Sequence, residues 1–421
     1  VKFGVKNSLV AVAALSTISA ALFVPSAHAA ITLPTGSWPV CASASDAYCV
    51  ESVIVTPEGA KPVQLSYGTA GAAATNADVT AGKALAGRWG SSDWTAATLG
   101  AAGYDGLFVD AHQANAYVPW VYVDVQPTLG TALAAQAANK SYAANLDKNT
   151  AIGVKLHLGS IKTGVTFGVG QDVTTKIDQT GAVATLEIDG YPTTVPVASS
   201  SKDCIGNAGK AVALVNQFQS VIVPQNDPLG FGVDGSSGTL YVGSNGTCKL
   251  STPVWNPDTK HFRYSSTAPA LSPDGSKTNK GFYHAVISFA DAKAYWGLSK
   301  PQDAAQALTV SILTNAGGST AAIATVSARN NAIIIDTTNF DFPDAMLDIA
   351  LNPSYNGSSA GPDATNSSAA AKATATSAAA KANQKIKGTV SKPTTITCVK
   401  GKLTTKVSGV KPICPKGYTK Q

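Results

Sequence analysis

The chain has 421 residues, 44% of them hydrophobic and 13% charged, with a formal net charge of +6. That balance excludes an intrinsically disordered chain, which combines low hydrophobicity with high net charge. The length gives room for two domains of ordinary size plus a tail, each able to bury a core without relying on cross-links.

In chain order, the first segment carries Lys2 and Lys6, an apolar run from Leu9 to Val24, and Ala27-His28-Ala29. This is the three-part layout of a cleaved export signal, so 1–29 is expected to be removed and the mature chain to begin near Ala30. The apolar run contains Ser16, Thr17 and Ser19 and falls short of the ~20 apolar residues that a span needs. After cleavage no transmembrane anchor is expected.

Residues 30–130 read as an N-terminal β domain, with strands expected at 52–56, 62–67, 106–110 and 119–125. In the last of these Val121, Val123 and Val125 share one face, while Trp120, Tyr122 and Asp124 share the other. Those three are candidate ligand-binding residues, because aromatic rings on a strand face can stack on sugars. Core packing is the competing reading of the same pair. Asp110 and His112 also fall on one strand face, where they could hold a metal or relay a proton, or simply form a satisfied surface pair.

The Ala-rich stretch 131–146 is expected to be helical, and 130–150 is taken as the seam between domains. From 151 to 363 a second domain follows, with strands expected at 153–158, 165–169, 184–188, 193–198, 219–223, 239–243, 282–289, 309–314, 322–327 and 332–336. Thr180-Gly181, Asp189-Gly190, Asp234-Gly235, Asn245-Gly246 and Asp274-Gly275 supply the turn chemistry of tight hairpins. Pro301 to Leu308 is expected to start a second helix. Short strands at this spacing predict a mainly β protein of two antiparallel β-sandwich-like domains.

Catalytic patterns are scarce. Gly235-Ser-Ser-Gly238 has the wrong spacing for a nucleophile elbow, and the glutamates are limited to Glu51, Glu58 and Glu187. The aspartates sit mostly in turn contexts such as Asn256-Pro-Asp258 and Pro273-Asp274-Gly275. His112, His157, His261 and His284 follow no metal-ligand spacing, and the loop aspartates build no calcium loop. No metal or cofactor is expected.

Cys41, Cys49, Cys204, Cys248, Cys398 and Cys414 suit disulfides in an exported chain. Fifteen pairings are possible, and the cost of loop closure favours the local set Cys41–Cys49, Cys204–Cys248 and Cys398–Cys414.

The last part of the chain is electrostatically different. Residues 364–421 hold eleven lysines and no acid, whereas 30–363 holds 18 basic against all 25 acidic residues, a balance near −7. Residues 364–392 repeat Ser-Ala-Ala-Ala-Lys at Ser368 and Ser377 and read as an Ala/Ser/Lys linker reaching roughly 30 to 45 Å. Residues 393–421 alternate Thr, Val and Ile with Lys and are expected to form a small ribbon closed by Cys398–Cys414. Lys400, Lys402, Lys406, Lys411, Lys416 and Lys420 are the candidate polyanion-binding residues. The absence of arginine and of interleaved aromatics speaks against specific nucleic-acid binding, which leaves anionic cell-envelope polymers as the expected partner. A solubilising end with no partner is the plainer alternative.

Cys398-Val-Lys-Gly-Lys402 and Lys411-Pro-Ile-Cys414-Pro-Lys-Gly-Tyr418 resemble a C-terminal signature shared by exported envelope-associated proteins of actinobacterial type. The block from WNPDTKHFRYSS through NKGFYHAVISFADAKAYWGL is similar to a segment of the same proteins. The resemblance implies secretion and association with the cell envelope, and it assigns no activity. The expected role is structural or binding, without catalysis; the alternatives are a carbohydrate-binding module and a secreted glycoside hydrolase with unmarked carboxylates.

Overall fold

The computed structural model describes residues 33–34, 36–68, 88–90, 104–129, 132–133, 145–229, 231, 236–313, 323–343, 345–355, 394–400, 403–409 and 419–420. They are 54% strand and 7% helix and fall into two compact units, Val1–Gly357 and Ser358–Gln421. The expected signal segment 1–29 and linker 364–392 lie outside the described residues.

The first unit begins with β1 (Cys49–Thr56), β2 (Val63–Gln64), β3 (Ser66–Tyr67), β4 (Trp89–Gly90), β5 (Gly106–Asn115), β6 (Val118–Leu129) and β7 (Ala132–Leu133). It continues with β8 (Ala151–Gly159), β9 (Thr163–Val169), β10 (Gln171–Asp178), β11 (Ala184–Tyr191), β12 (Thr193–Val197), β13 (Ala213–Pro224), β14 (Tyr241–Ser244), β15 (Lys249–Leu250) and β16 (Val254–Asn256). After β17 (His261–Thr267) and β18 (Lys280–Ser288) come the helix α1 (Phe289–Trp296) and the short α2 (Ala304–Ala307), then β19 (Leu308–Leu313), β20 (Ile323–Arg329), β21 (Ala332–Asp341) and β22 (Met346–Leu351).

Period-two patterning explains most of these strands. β11 buries Ala184, Leu186 and Ile188 and leaves Thr185, Glu187 and Asp189 half-buried between them. β9 is buried along its whole length, as expected of a strand with a core on both faces.

β9 lies in the middle of a long sheet ordered β20-β21-β18-β14-β9-β13-β6-β5-β4-β3, with β12 beside β13 and β7 beside β6. Alternate residues of this sheet enter different cores. Phe218 and Ile222 of β13, Tyr241 of β14 and Val286 of β18 join a core completed by the sheet β10-β11-β8-β1-β2. Val223, Val242, Ala285 and Ile287 of the same strands join a second core, completed by the sheet β15-β17-β22-β19 and by α1. Because side chains alternate across a strand, the long sheet is the shared wall of two sandwich-like halves.

That arrangement differs from two domains divided at 130–150. β1 pairs with β8 and β6 with β13, so strand pairing crosses the expected seam in both sheets, and the contacts divide the chain after Gly357 instead. The expected helix 131–146 begins with strand β7, and most of its remainder lies outside the described residues. The Asp189-Gly190 pair is no turn but part of β11; a Cβ on Gly190 would meet Val173 Cγ2 at 2.5 Å, so the glycine serves close approach of β10. Asp274-Gly275 does turn, with Gly275 at φ +76°, whereas Asp234-Gly235 lies outside the described residues. The strand expected at 282–289 stops at Ser288, whose side chain accepts a hydrogen bond from Asp291 N and caps α1. Pro301–Asp303 forms a 3-10 turn leading into α2. β14 runs parallel to β9, against the all-antiparallel expectation, while its other neighbour β18 is antiparallel.

Cys41–Cys49 and Cys204–Cys248 are disulfide-bonded as expected, and Cys414 lies outside the described residues. No helix among the described residues is long and apolar enough to cross a membrane. In the second unit, β23 (Thr394–Lys400) pairs with β24 (Leu403–Gly409) and with a third strand, β25 (Thr419–Lys420). Lys400 pairs with Leu403, Lys406 with Thr397 and Lys420 with Cys398; Lys402, Lys411 and Lys416 lie outside the described residues.

Candidate functional site

The β5–β6 hairpin brings the two strand-face patterns of the sequence together. Asp110 is the cross-strand partner of Asp124, and His112 that of Tyr122. Gln219 of β13 lies opposite Asp124 on the other side. The odd-numbered residues Val109, Ala111, Val121, Val123 and Val125 enter the first core, which forces the acids, the histidine and the tyrosine onto one opposite face.

On that face Asp110, only 4% exposed, accepts a short hydrogen bond from Ser37 Oγ. His112 Nδ1 lies 3.2 Å from Asp110 Oδ1, and its ring stands edge-on to Tyr122 at 5.2 Å between centroids. The half-buried Asp124 accepts from Gln126 Nε2. Burial pushes its carboxyl up from the ordinary 3.8 to about 6, with the charge of Asp110 pushing the same way, while the amides of Gln126 and Gln219 and the charge of His112 pull it down. Burial, then the charges of Asp124 and Asp110, also hold the Tyr122 phenol well above its ordinary range. The result is a carboxyl with its pKa raised to about 6, facing a second aspartate whose Oδ1 lies 3.2 Å from an imidazole nitrogen.

A stability test follows from that shift. The folded chain holds the Asp124 proton more tightly than the unfolded chain, so this contribution is complete below about pH 4 and is lost as the pH rises through 6. Asp124→Asn, which keeps a polar amide there, should raise stability above pH 6 by about 2 to 3 kcal/mol and leave it nearly unchanged at pH 4. Urea midpoints at the two pH values measure the difference; equal effects at both would show that Asp124 titrates normally.

The aromatic rings are less free than a sugar platform requires. Trp120 is half-buried against the second core, its Nε1 donates to Asp227 Oδ1 at 2.6 Å, and its ring stands edge-on to Phe231 at 6.0 Å. Tyr122 is half-buried. Trp89 is buried and packs edge-on to Tyr67, and Trp94 lies outside the described residues. A small depression beside the acidic face is lined by Trp38, Tyr67, Trp89 and Phe108, with the Ser37 hydroxyl as its polar edge.

The other chemically suggestive residues are structurally engaged. His157 Nδ1 meets the Asp46 carbonyl at 2.7 Å and its Nε2 meets Glu51 Oε2 at 2.9 Å, while Glu187 pairs with Lys176 at 3.2 Å. His261 Nδ1 lies 2.8 Å from Asp348 Oδ1, which also takes Arg263 Nε at 2.7 Å. Ser236 Oγ donates to the Gly164 carbonyl, and Ser237 Oγ to Asp291 Oδ2 at 2.6 Å. The Ser237–Asp291 contact joins the loop before β14 to the start of α1, a pairing with no local signal in the sequence. No family model matches the chain, and no curated protein or solved structure matches it either.

Proposed function

We propose that this is a secreted, cell-envelope-associated protein with a binding or structural role, held on anionic wall polymers by its lysine-rich C-terminal segment. The observation that carries the reading is the segregation of charge: eleven lysines without an acid in 364–421, against a body of opposite sign. Several body cations are already occupied by body acids, with Lys155 at 2.8 Å from Glu51, Lys280 at 2.6 Å from Asp341 and Arg263 at 2.7 Å from Asp348. Such pairing supports the view that the unmatched positive charge is concentrated in the terminal segment. The two body disulfides suit an oxidising compartment outside the cytosol.

A lysine array attracts phosphate- or carboxylate-bearing polymers through forces that salt screens, over a Debye length of about 10 Å at 0.1 M and about 3 Å at 1 M. The test is sedimentation of the full chain with isolated wall polymers across a salt series. Binding should be strong at about 0.05 M salt and fall at least tenfold by about 0.5 M. Retention at 1 M salt would overturn the reading in favour of covalent or hydrophobic attachment. Equal binding to a neutral glycan would favour carbohydrate recognition instead.

A further inference from the structure

His284 on β18 and Asp336 on β21 are cross-strand partners, and Nδ1 of the imidazole lies 2.6 Å from Asp336 Oδ1. The histidine is 6% exposed, yet its Nε2 is buried without a hydrogen-bond partner.

A third residue arrives from the facing sheet. One ligand-type atom each from Asp172, His284 and Asp336 lie within 4.8 Å of one another. Asp172 sits where β10 slips register against β11, between Gln171 and Thr174, and its φ of +51° is unusual for a residue with a side chain. Bulges of this kind re-aim side chains, and positive φ at a non-glycine residue is maintained only where the surroundings require it. Gly243 of β14 lies directly beside His284; a Cβ there would come within 3.0 Å of the Gly170 carbonyl. The missing side chain thus opens the passage by which the β9–β10 connection brings Asp172 toward the long sheet.

We propose that Asp172, Asp336 and the Nδ1 of His284 form a binding site for one divalent transition-metal ion of the zinc class, the ion taking the place of the proton between His284 and Asp336. One imidazole and two carboxylates match the donor preference of such ions better than that of calcium, which takes oxygen ligands. Three protein ligands leave a fourth position for water or an anionic group. The ion would clip β10 of the five-stranded sheet to β18 and β21 of the long sheet, adding to the hydrogen bond from Thr175 Oγ1 of β10 to the Thr239 carbonyl just before β14. The other cluster of ligand-type atoms, Cys41, Cys49 and His157, is unsuited, because both thiols are consumed in a disulfide.

The test is calorimetric titration of the chelator-treated full chain with Zn²⁺, in parallel with Ca²⁺ and with melting curves. One equivalent of zinc should bind, raise the melting temperature and outcompete calcium. Asp172→Asn removes an exposed ligand and should leave the metal-free melting temperature unchanged while weakening zinc at least tenfold; Asp336→Asn should weaken it likewise. His261→Gln, which disables the separate His261–Asp348 pair, should leave zinc affinity unchanged. The absence of stoichiometric uptake would overturn the proposal. So would zinc uptake that survives Asp172→Asn and Asp336→Asn together, or that is lost in His261→Gln.

Discussion

Ending the chain after Asp363 is expected to move the protein from the wall fraction into the medium. The truncation removes eleven lysines and no acid, leaving a body with an excess of about seven negative charges, so the interaction with a polyanion changes sign. The body should survive the cut, because residues up to Gly357 form a compact unit of their own. At least a tenfold shift in the ratio of wall-bound to free protein is expected, read by quantitative blotting of fractionated cells. Charge can be separated from shape in the full chain. Replacing Lys400, Lys402, Lys406, Lys411, Lys416 and Lys420 by glutamine should reproduce most of the release, whereas arginine at the same positions should preserve retention, since screened attraction depends on charge. Unchanged fractionation of the truncated chain would reject retention by the tail.

Much of the strand content was legible because burial imposes period two. Strands read at 153–158, 219–223 and 282–289 are observed as Ala151–Gly159, Ala213–Pro224 and Lys280–Ser288. β10 escaped notice because Val173 is its one fully buried residue; its pairing with β11, not an apolar pattern of its own, makes it a strand. β17 alternates Phe262 and Tyr264 with His261, Arg263 and Ser265, and β22 carries Asp348 between Leu347 and Ile349. Such polar interruptions are tolerable where the other face meets water or an ion-pair partner, which tertiary structure decides. The candidate site divides the same way. Asp110 and His112 share a face by spacing alone, as do Tyr122 and Asp124, but their meeting depends on hairpin register. Asp336 lies 52 residues from His284, and Asp172 joins them only through a bulge. The shared long sheet was hidden for a related reason: periodicity tells that a strand has two faces, not that both will be covered.

The shared sheet makes a strong prediction about Phe340. This fully buried ring stacks on Tyr283 at 4.7 Å and stands edge-on to Phe342 at 5.7 Å. Tyr283 in turn contacts Tyr264 of β17 at 5.5 Å, and its hydroxyl donates to the Ala345 carbonyl at 2.6 Å. A row of rings therefore ties β21 and β18 of the long sheet to the smaller sheet that closes the second core. Gly281 leaves space for the Phe340 ring, since a Cβ there would lie 2.1 Å from Phe340 Cε2, and it contributes no side chain to the space that Phe340→Ala would vacate. The substitution is expected to cost about 3 to 5 kcal/mol in urea unfolding, and Phe340→Leu, which keeps part of the apolar volume, should cost less. Tyr117→Ala, at a residue 92% exposed, should stay within about 0.5 kcal/mol of the parent protein. Because β13, β14 and β18 contribute to both cores, the loss should appear as one cooperative transition sensed by probes in either half. Two separated transitions, with the first core unaffected, would mean that the long sheet joins the halves without coupling them.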